Sequence, residues 1–357
     1  MTALWNMRDK LKFLMSSPLQ DPWLNWVSEI TLDDIEYRES MTAADKRDLF
    51  KKNVTLVEIE HNSYCNRTCS FCPNSFLDRT QKISLDRDLY IKLTDELQSI
   101  EYDGAIRFSR YSEPLAFRKT LCEFIQIARN KLPNAELNII NNGDYLTKRK
   151  LEDLCEAGLS SVIISVYPWP MNAPEINQPE NWSEQSALDA MDKIGKRIGI
   201  LPDQVKCAKN RVSCIYPHNH LQITANSENF SVHGYDRGGS VEKYIDDDYA
   251  RKAPCLGVYK NFTMDFDGSV MPCWNLRSDN PDHKDFIVGK LSASSSETIY
   301  DIYASRLMTT WRTELTGTQD KKHPCRTCKQ KTCGQGKLKR VSRYLKEQMA
   351  SIGYTSK

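Results

Sequence analysis

The chain has 357 residues, with 49 Lys or Arg against 47 Asp or Glu and a formal net charge of +2. That balance argues against nucleic acid or an anionic membrane surface as the partner. No apolar run approaches the roughly 20 residues of a membrane span, while the length allows two or three domains with a substantial core.

From Met1 to Leu19, Arg8, Lys10 and Lys12 interrupt scattered apolar residues, and the apolar stretch and cleavage site of a signal peptide are missing. The expectation is a soluble, cytoplasmic protein in which the clustered members of its twelve cysteines bind metal rather than form a disulfide framework. Residues 1–52 read as a helical extension. Trp5, Leu11, Phe13, Leu14, Trp23, Leu24 and Trp26 form an apolar set without strand alternation, and Asp45-Lys46-Arg47-Asp48 reads as a solvated helical face. A role in packing fits this segment better than substrate binding.

A strand–helix rhythm occupies residues 53–240. Val54–Glu60 is predicted as a strand, Leu85–Ile100 as a helix, Ala105–Ser109 as a strand and Leu121–Leu132 as a helix. Glu136–Ile140 and Ser161–Val166 follow as strands around a helix over Lys148–Ala157. After a long loop, Tyr167–Trp182, come a helix across Ala187–Ile198 and two strand candidates, Arg211–Tyr216 and Phe230–Gly234. Such alternation implies a parallel sheet. Six units without a dinucleotide-binding glycine fingerprint suit an α/β fold of the partial (β/α)6 TIM-like barrel kind, with functional residues at the C-terminal ends of the strands. Residues 241–335 lose the rhythm and read as a small metal-stapled domain, and residues 336–357 as a basic C-terminal helix with a solvated surface.

Directly after the first strand stands Cys65-Asn66-Arg67-Thr68-Cys69-Ser70-Phe71-Cys72, a C-x3-C-x2-C spacing. Three thiolates can hold three irons of a [4Fe–4S] cube and leave the fourth open to a small molecule. Structural zinc is the alternative, but it takes four ligands, and His61 lies on the wrong side of Cys65 for a standard knuckle. The triple, with the aromatic Phe71 before its last Cys, resembles the signature of the radical S-adenosylmethionine (SAM) superfamily. The resemblance implies that Phe71 lies near the adenine of SAM. Tyr111-Ser112-Glu113-Pro114 resembles the family's Gly-Glu-Pro element, with Ser112 in place of Gly, and so implies that Ser112 and Glu113 receive the methionine ammonium. Asn141-Asn142-Gly143 resembles the Thr-Asn-Gly element, and Ser165 matches a position whose hydroxyl contacts the ribose or the methionine carboxylate. Taken singly, Ser-Glu-Pro and Asn-Gly are common turn and cap sequences. Their weight comes from falling at successive strand ends.

Cys255, Cys273, Cys325 and Cys328, with the G-x4-C element Gly268 to Cys273, resemble the auxiliary-cluster domains of SPASM/twitch radical SAM enzymes. A complete SPASM domain carries more cysteines than follow here, so the expectation is one auxiliary [4Fe–4S] cluster, with a zinc ribbon as the alternative. Cys333 is read as a spare thiol, and Cys122, Cys155, Cys207 and Cys214 as small core residues. Tyr235-Asp236-Arg237-Gly238-Gly239 resembles an Asn-Arg-Ala/Gly-Gly segment of SPASM-containing proteins, which makes Arg237 a candidate contact for SAM or substrate, or a structural ion-pair partner. The loop Tyr167–Asn172 is a candidate pocket wall or an aromatic plug.

The resemblance implies an enzyme that generates a 5′-deoxyadenosyl radical. Its expected substrate is a small sugar-, cyclitol- or nucleoside-like metabolite, oxidised at an alcohol carbon, with a flavodoxin or ferredoxin as the reducing partner. Epimerisation and maturation of a ribosomal peptide are the alternatives, and the first 52 residues are too short for the precursor-recognition domain that peptide-modifying relatives often carry. A non-catalytic iron–sulfur or zinc module is the alternative of another class. It does not account for the elements implied to bind SAM.

Overall fold

The computed structural model describes residues 38–169, 181–252, 255, 257–316 and 320–329. The first helix, α1 (Ala43–Asn53), is opened by a reciprocal cap in which the Thr42 side chain accepts from the N–H of Asp45 and Asp45 accepts from the N–H of Thr42. The strand–helix series then runs β1 (Leu56–Ile59), α2 (Arg87–Ser99), β2 (Ala105–Arg107), α3 (Arg118–Lys131), β3 (Glu136–Asn141), α4 (Lys148–Glu156), β4 (Ser161–Ser165) and α5 (Glu184–Ile198). An antiparallel meander follows, β5 (Asp203–Ala208), β6 (Arg211–Tyr216) and β7 (Gln222–Glu228), and then the short α6 (Phe230–His233). The rest is α7 (Gly257–Lys260), β8 (Asn261–Met264), β9 (Ser269–Met271), β10 (Gly289–Lys290), α8 (Ile299–Tyr303) and α9 (Arg306–Thr316).

The strands form one sheet in the order β10-β9-β8-β1-β2-β3-β4-β7-β6-β5. Its centre, β8-β1-β2-β3-β4-β7, is parallel throughout, which bears out the expected α/β class. Two strand expectations need correction. Arg211–Tyr216 is a strand but pairs antiparallel with β5 and β7, so it belongs to a meander and not to a strand–helix unit. Phe230–Gly234 is a helical turn, because Asn229 caps it by accepting from the N–H of Ser231. The fifth parallel strand in chain order is β7, whose inward residues Ile223, Ala225 and Ser227 are mostly small and give little hydrophobic signal. The sixth, β8, lies beyond residue 240 and joins the free side of β1, Leu56 opposite Asn261.

Alternation along these strands separates two kinds of surface. Val57, Ile106, Leu137, Ile139, Val162, Ile164 and Ile223 belong to the apolar core, together with the helix residues Leu93, Phe124, Leu154 and Met191. Most of the intervening positions carry polar groups, Leu56, Ile140 and Ile163 being exceptions. The registers place Thr263, Glu58, Arg107, Asn138, Ser161 and Gln222 in one row across all six parallel strands. Arg107 ties the row together, donating from Nη1 to Glu58 at 3.3 Å and from Nε to Asn138 at 2.9 Å.

Helix α1 packs through Phe50, whose ring lies 5.6 Å from that of Phe262 and 5.4 and 5.3 Å from those of Tyr300 and Tyr303. The Asp45–Asp48 stretch is therefore more than a solvated face. Asp45 caps α1, and Lys46 pairs with Asp301 of α8 at 2.7 Å. The expected extension before residue 38, the loop over residues 170–180, Cys333 and the basic C-terminal helix lie outside the described residues. Among the described residues no helix is long and apolar enough to cross a membrane. Phe50→Ala is expected to lower stability by about 3–5 kcal/mol through the cavity it opens between α1, β8 and α8. Urea unfolding measures this, and a loss below about 1 kcal/mol would show that α1 is not held by this contact.

Candidate active site

Every parallel strand ends in a loop on the same side of the sheet, and the loop after β1 carries Cys65, Cys69 and Cys72. It is fastened on several sides. The Ser63 N–H donates to Ile83 O at 2.9 Å, and the Glu113 N–H donates to Tyr64 O at 2.8 Å. Arg67, inside the cysteine motif, makes a fork with Asp144, Nε and Nη2 each donating at 2.6 Å, and its Nη1 donates to Trp169 O at 3.3 Å. Such a fork fixes direction as well as distance. Asn66 donates to the same Asp144 at 2.7 Å and accepts from Asn142 Nδ2 at 2.7 Å. The neighbouring His61 is buried, and desolvation lowers its pKa to about 4. Its Nδ1 contacts Phe108 O at 3.0 Å, so it is a neutral core residue and not a ligand.

The three thiols face a cavity that encloses about 610 Å³ of empty space, its open mouth included. Phe71, Ser112, Glu113, Asn142 and Ser165 line the same cavity, as does Arg237. All the residues expected to hold SAM are thus brought together. Gly143 turns the chain back beside them at φ 78°, and a Cβ there would meet Ile164 and Ile194 at 3.0 Å.

Electrostatics sets the character of the site. Burial pushes the Cys65 thiol up to about 12 and the Cys69 thiol well above its ordinary range. These thiols keep their protons unless a cationic centre replaces them, which is the behaviour of metal ligands. Glu113 is fully buried, and desolvation raises its pKa to about 7 against the N–H donors of Asn142 and Leu115. Those N–H groups reach its two oxygens at 2.9 and 3.0 Å. Ser112 Oγ and Arg237 Nε are buried without a hydrogen-bond partner among the described residues. Arg237 has no carboxylate within ion-pair reach among them either. Its guanidinium lies 3.9 Å from the Tyr235 ring and 6.0 Å from that of Tyr111, and its backbone is held at φ 51°. Beside the cavity the Arg237 N–H suits the oxygens of a polar ligand, and the Ser112 hydroxyl with Glu113 suits its ammonium.

Phe71 stacks face to face on Phe230 at 3.9 Å, with Tyr167 at 5.4 Å and Trp169 at 6.2 Å. One face of Phe71 is therefore already covered, and the start of the Tyr167 loop is part of the cavity wall.

The later cysteines also meet. Burial raises the Cys273 thiol well above its ordinary range, and so do the neighbouring charges of Cys255, Cys325 and Cys328. Cys325 is raised by burial, Cys255 and Cys328. The Asn275 N–H points to Cys273 Sγ at 3.4 Å, and Arg251 Nη1 lies 3.9 Å from Cys328 Sγ. Among the described residues no three Cys, His, Asp or Glu side chains close around a single ion. A cubane does not ask for that, because each thiolate binds a different iron. Cys214 is buried and Cys122 and Cys155 are partly buried as expected, but Cys207 is exposed on the edge strand β5.

Reading the sequence missed the polar groups that hold this arrangement. Arg67, Asp144, Glu60, Arg79 and Arg277 look like ordinary surface charges in the chain. Only Arg67, enclosed between ligand cysteines, carries a positional hint.

The sequence model described as the radical SAM superfamily matches residues 59–198, and that of an iron–sulfur cluster-binding domain, SPASM, matches residues 255–330. The S-adenosyl-L-methionine-dependent 2-deoxy-scyllo-inosamine dehydrogenase of Niallia circulans is 33% identical over 178 residues, 48% of this chain and 71% of that protein. A GTP 3′,8-cyclase of Helicobacter pylori is 30% identical over 125 residues, 33% of this chain and 36% of that protein. The crystal structure of BtrN in complex with AdoMet and 2-DOIA shares the fold, with a TM-score of 0.51 and 22% identity over 74% of this chain and 88% of that one.

The raised Glu113 makes stability depend on pH. Its contribution is fully present below the unfolded value near 4.5 and is lost as pH rises through about 7. Without SAM, wild type is expected to lose about 3 kcal/mol relative to Glu113→Gln across that window. Urea unfolding of both proteins in steps from pH 4.5 to 8 measures it. Parallel profiles would show that Glu113 is not held in this environment.

Proposed function

The chain belongs to the radical SAM superfamily and carries a SPASM iron–sulfur domain, and on that premise we propose that it oxidises an alcohol carbon of a small sugar-, cyclitol- or nucleoside-like metabolite. It is an oxidoreductase whose cofactors are SAM, the [4Fe–4S] cluster that binds it, and an auxiliary iron–sulfur cluster. The observation that carries the reading is the convergence of the three thiols, Glu113, Ser112 and Arg237 on one cavity at the strand ends.

In this reading Cys65, Cys69 and Cys72 hold the SAM-binding cluster, and Cys255, Cys273, Cys325 and Cys328 would hold an auxiliary one able to accept the one electron left on the substrate after hydrogen abstraction, the hydroxyl proton passing to solvent. When bound, the reduced cluster and SAM supply a 5′-deoxyadenosyl radical able to take hydrogen from an unactivated C–H bond. The chain's own groups arrange the reactants. Glu113 gives up its proton to the solvent as the methionine ammonium arrives, because the incoming charge offsets the desolvation that raises it. The hydroxyl of Ser112 supplies a second acceptor. Asn142 and Ser165 orient the ribose and carboxylate. Arg237, a cation without a carboxylate of its own among the described residues, donates to an oxygen of SAM or of the substrate.

Phe71, Tyr167, Trp169 and Phe230 form a wall that keeps water from the reacting carbon. A polar, oxygen-rich substrate suits unpaired donors better than an apolar one does, since each donor left bare costs about 1–3 kcal/mol. A flavodoxin or ferredoxin supplies the electron, and the protein works in the cytoplasm.

Three variants and a substrate screen test this. Anaerobically reconstituted wild type is expected to hold about eight irons, falling to about four in a Cys65/Cys69/Cys72→Ala triple variant. Cys69→Ala should abolish 5′-deoxyadenosine formation, whereas Cys328→Ala should retain part of it and lose product. Amino-cyclitols, beginning with 2-deoxy-scyllo-inosamine, are screened by mass spectrometry for the loss of two hydrogens. Normal SAM cleavage by Cys69→Ala would overturn the ligand assignment. A product of unchanged mass and inverted configuration would replace oxidation by epimerisation.

A further inference from the structure

The loop after Cys72 and the loop after Cys273 lie far apart in the chain, yet a closed set of buried hydrogen bonds joins them. Arg277, 1% exposed, sits between the two. Its Nη1 donates to Asn74 Oδ1 at 2.9 Å, while Nε and Nη2 donate to the two oxygens of Asp279 at 2.8 and 2.7 Å. Asn74 passes the connection on, its Nδ2 donating to the Tyr111 carbonyl at 2.8 Å. The Tyr111 hydroxyl donates to Asn275 O at 3.3 Å, and the N–H of that Asn275 points to Cys273 Sγ at 3.4 Å. The guanidinium also lies 4.8 Å from the Tyr111 ring.

The frame extends beneath the cavity. Arg79 donates to Asp279 at 2.9 Å and lies 3.4 Å from Glu60, and Glu60 accepts the N–H of Ser112 at 2.6 Å. The two arginines and two carboxylates balance in charge. Packing alone does not call for such a set, because apolar residues of similar volume commonly serve stability as well as buried ion pairs do. What the set provides is direction. All three guanidinium nitrogens of Arg277 are engaged at once, a geometry that a single ammonium cannot reproduce.

We propose that Arg277 is a positioning residue. With Asn74 and Tyr111 it clamps the Cys65–Cys72 loop to the Cys273 loop, so that the state of each metal site is felt at the other. The proposal rests on the reading of both cysteine sets as cluster ligands. Coupling of this kind is reciprocal. A change on the auxiliary side must alter SAM binding, and a change beside Cys72 must alter the auxiliary cluster.

The test uses the anaerobically loaded holoenzyme with SAM as the probe. Arg277→Lys keeps the charge and removes the fork, and Asn74→Ala removes the link without touching charge. Each is expected to weaken SAM binding five- to tenfold by calorimetric titration, and each to shift the midpoint potential of the auxiliary cluster in a titration followed by electron paramagnetic resonance. The double variant should bind SAM no worse than the poorer single variant, because both break one link. SAM affinity within twofold of wild type together with unshifted potentials would overturn the clamp, and so would additive losses in the double variant. If either variant fails to load both clusters, Tyr111→Phe decides. It lacks only the hydroxyl on Asn275, and it should shift the auxiliary potential at an unchanged thermal midpoint. An unshifted potential there overturns the proposal. Wild type that binds SAM with only about four irons would instead refute the two-cluster reading itself.

Discussion

A strand has two sides, and in this molecule they have different tasks. In the six central strands the apolar side meets the helices and supplies the core, while the alternate positions carry Thr263, Glu58, Arg107, Asn138, Ser161 and Gln222 in register. A single-residue slip in any strand would exchange the two sets. That would bury Arg107 against the helices and leave Ile106 among the polar groups. Register is therefore held by the cost of misplacing charge as much as by hydrophobic burial. The same register brings the strand ends level, and level ends are what let loops from different strands surround one cavity.

Around that cavity, buried ionisable groups keep each other in place. Arg67 with Asp144 and Arg79 with Glu60 and Asp279 have little access to water, so each partner satisfies a charge that would otherwise be stranded. The thiols and Glu113 are different. Burial keeps Cys65 and Cys69 as thiols and raises the Glu113 carboxyl to about 7, and no charged group among the described residues fully relieves that. The structural charges of the site are paired internally, while its functional groups suit charges that a ligand brings. Arg237 shares this condition from the opposite sign, being a cation that rests on aromatic rings.

Much of this was legible in the chain. Cysteine spacing and the order of short polar elements at strand ends located the cavity, because both are local in sequence. The strands over Ala105, Glu136 and Ser161 were legible because β-branched and apolar residues cluster there between turn signals. Phe230–Gly234 misled, since whether it extends or coils depends on the Asn229 side chain capping its N–H groups. β7 stayed hidden because Ala225 and Ser227 need so little room. Least legible was the charge frame of Glu60, Arg79, Arg277 and Asp279. Nothing local distinguishes a buried arginine from an exposed one, and its partners are set by tertiary packing.

The position of β8 governs how the chain can be assembled. β1 emerges early from the ribosome and finds β2 on one side soon afterwards, but its other neighbour is β8, from beyond the whole strand–helix series. At about 5–20 residues per second, synthesis leaves that side of β1 unpaired for roughly ten to forty seconds. An exposed apolar strand edge is a template for pairing with another chain. The growing polypeptide thus has to protect Leu56, Val57 and Ile59 for the time it takes to make the domain that covers them. Helix α1, which packs on both β8 and α8, cannot reach its full burial until that same late segment arrives. The two ends of the fold are completed in one event, and a chain shortened before residue 264 would present an open sheet edge at its centre.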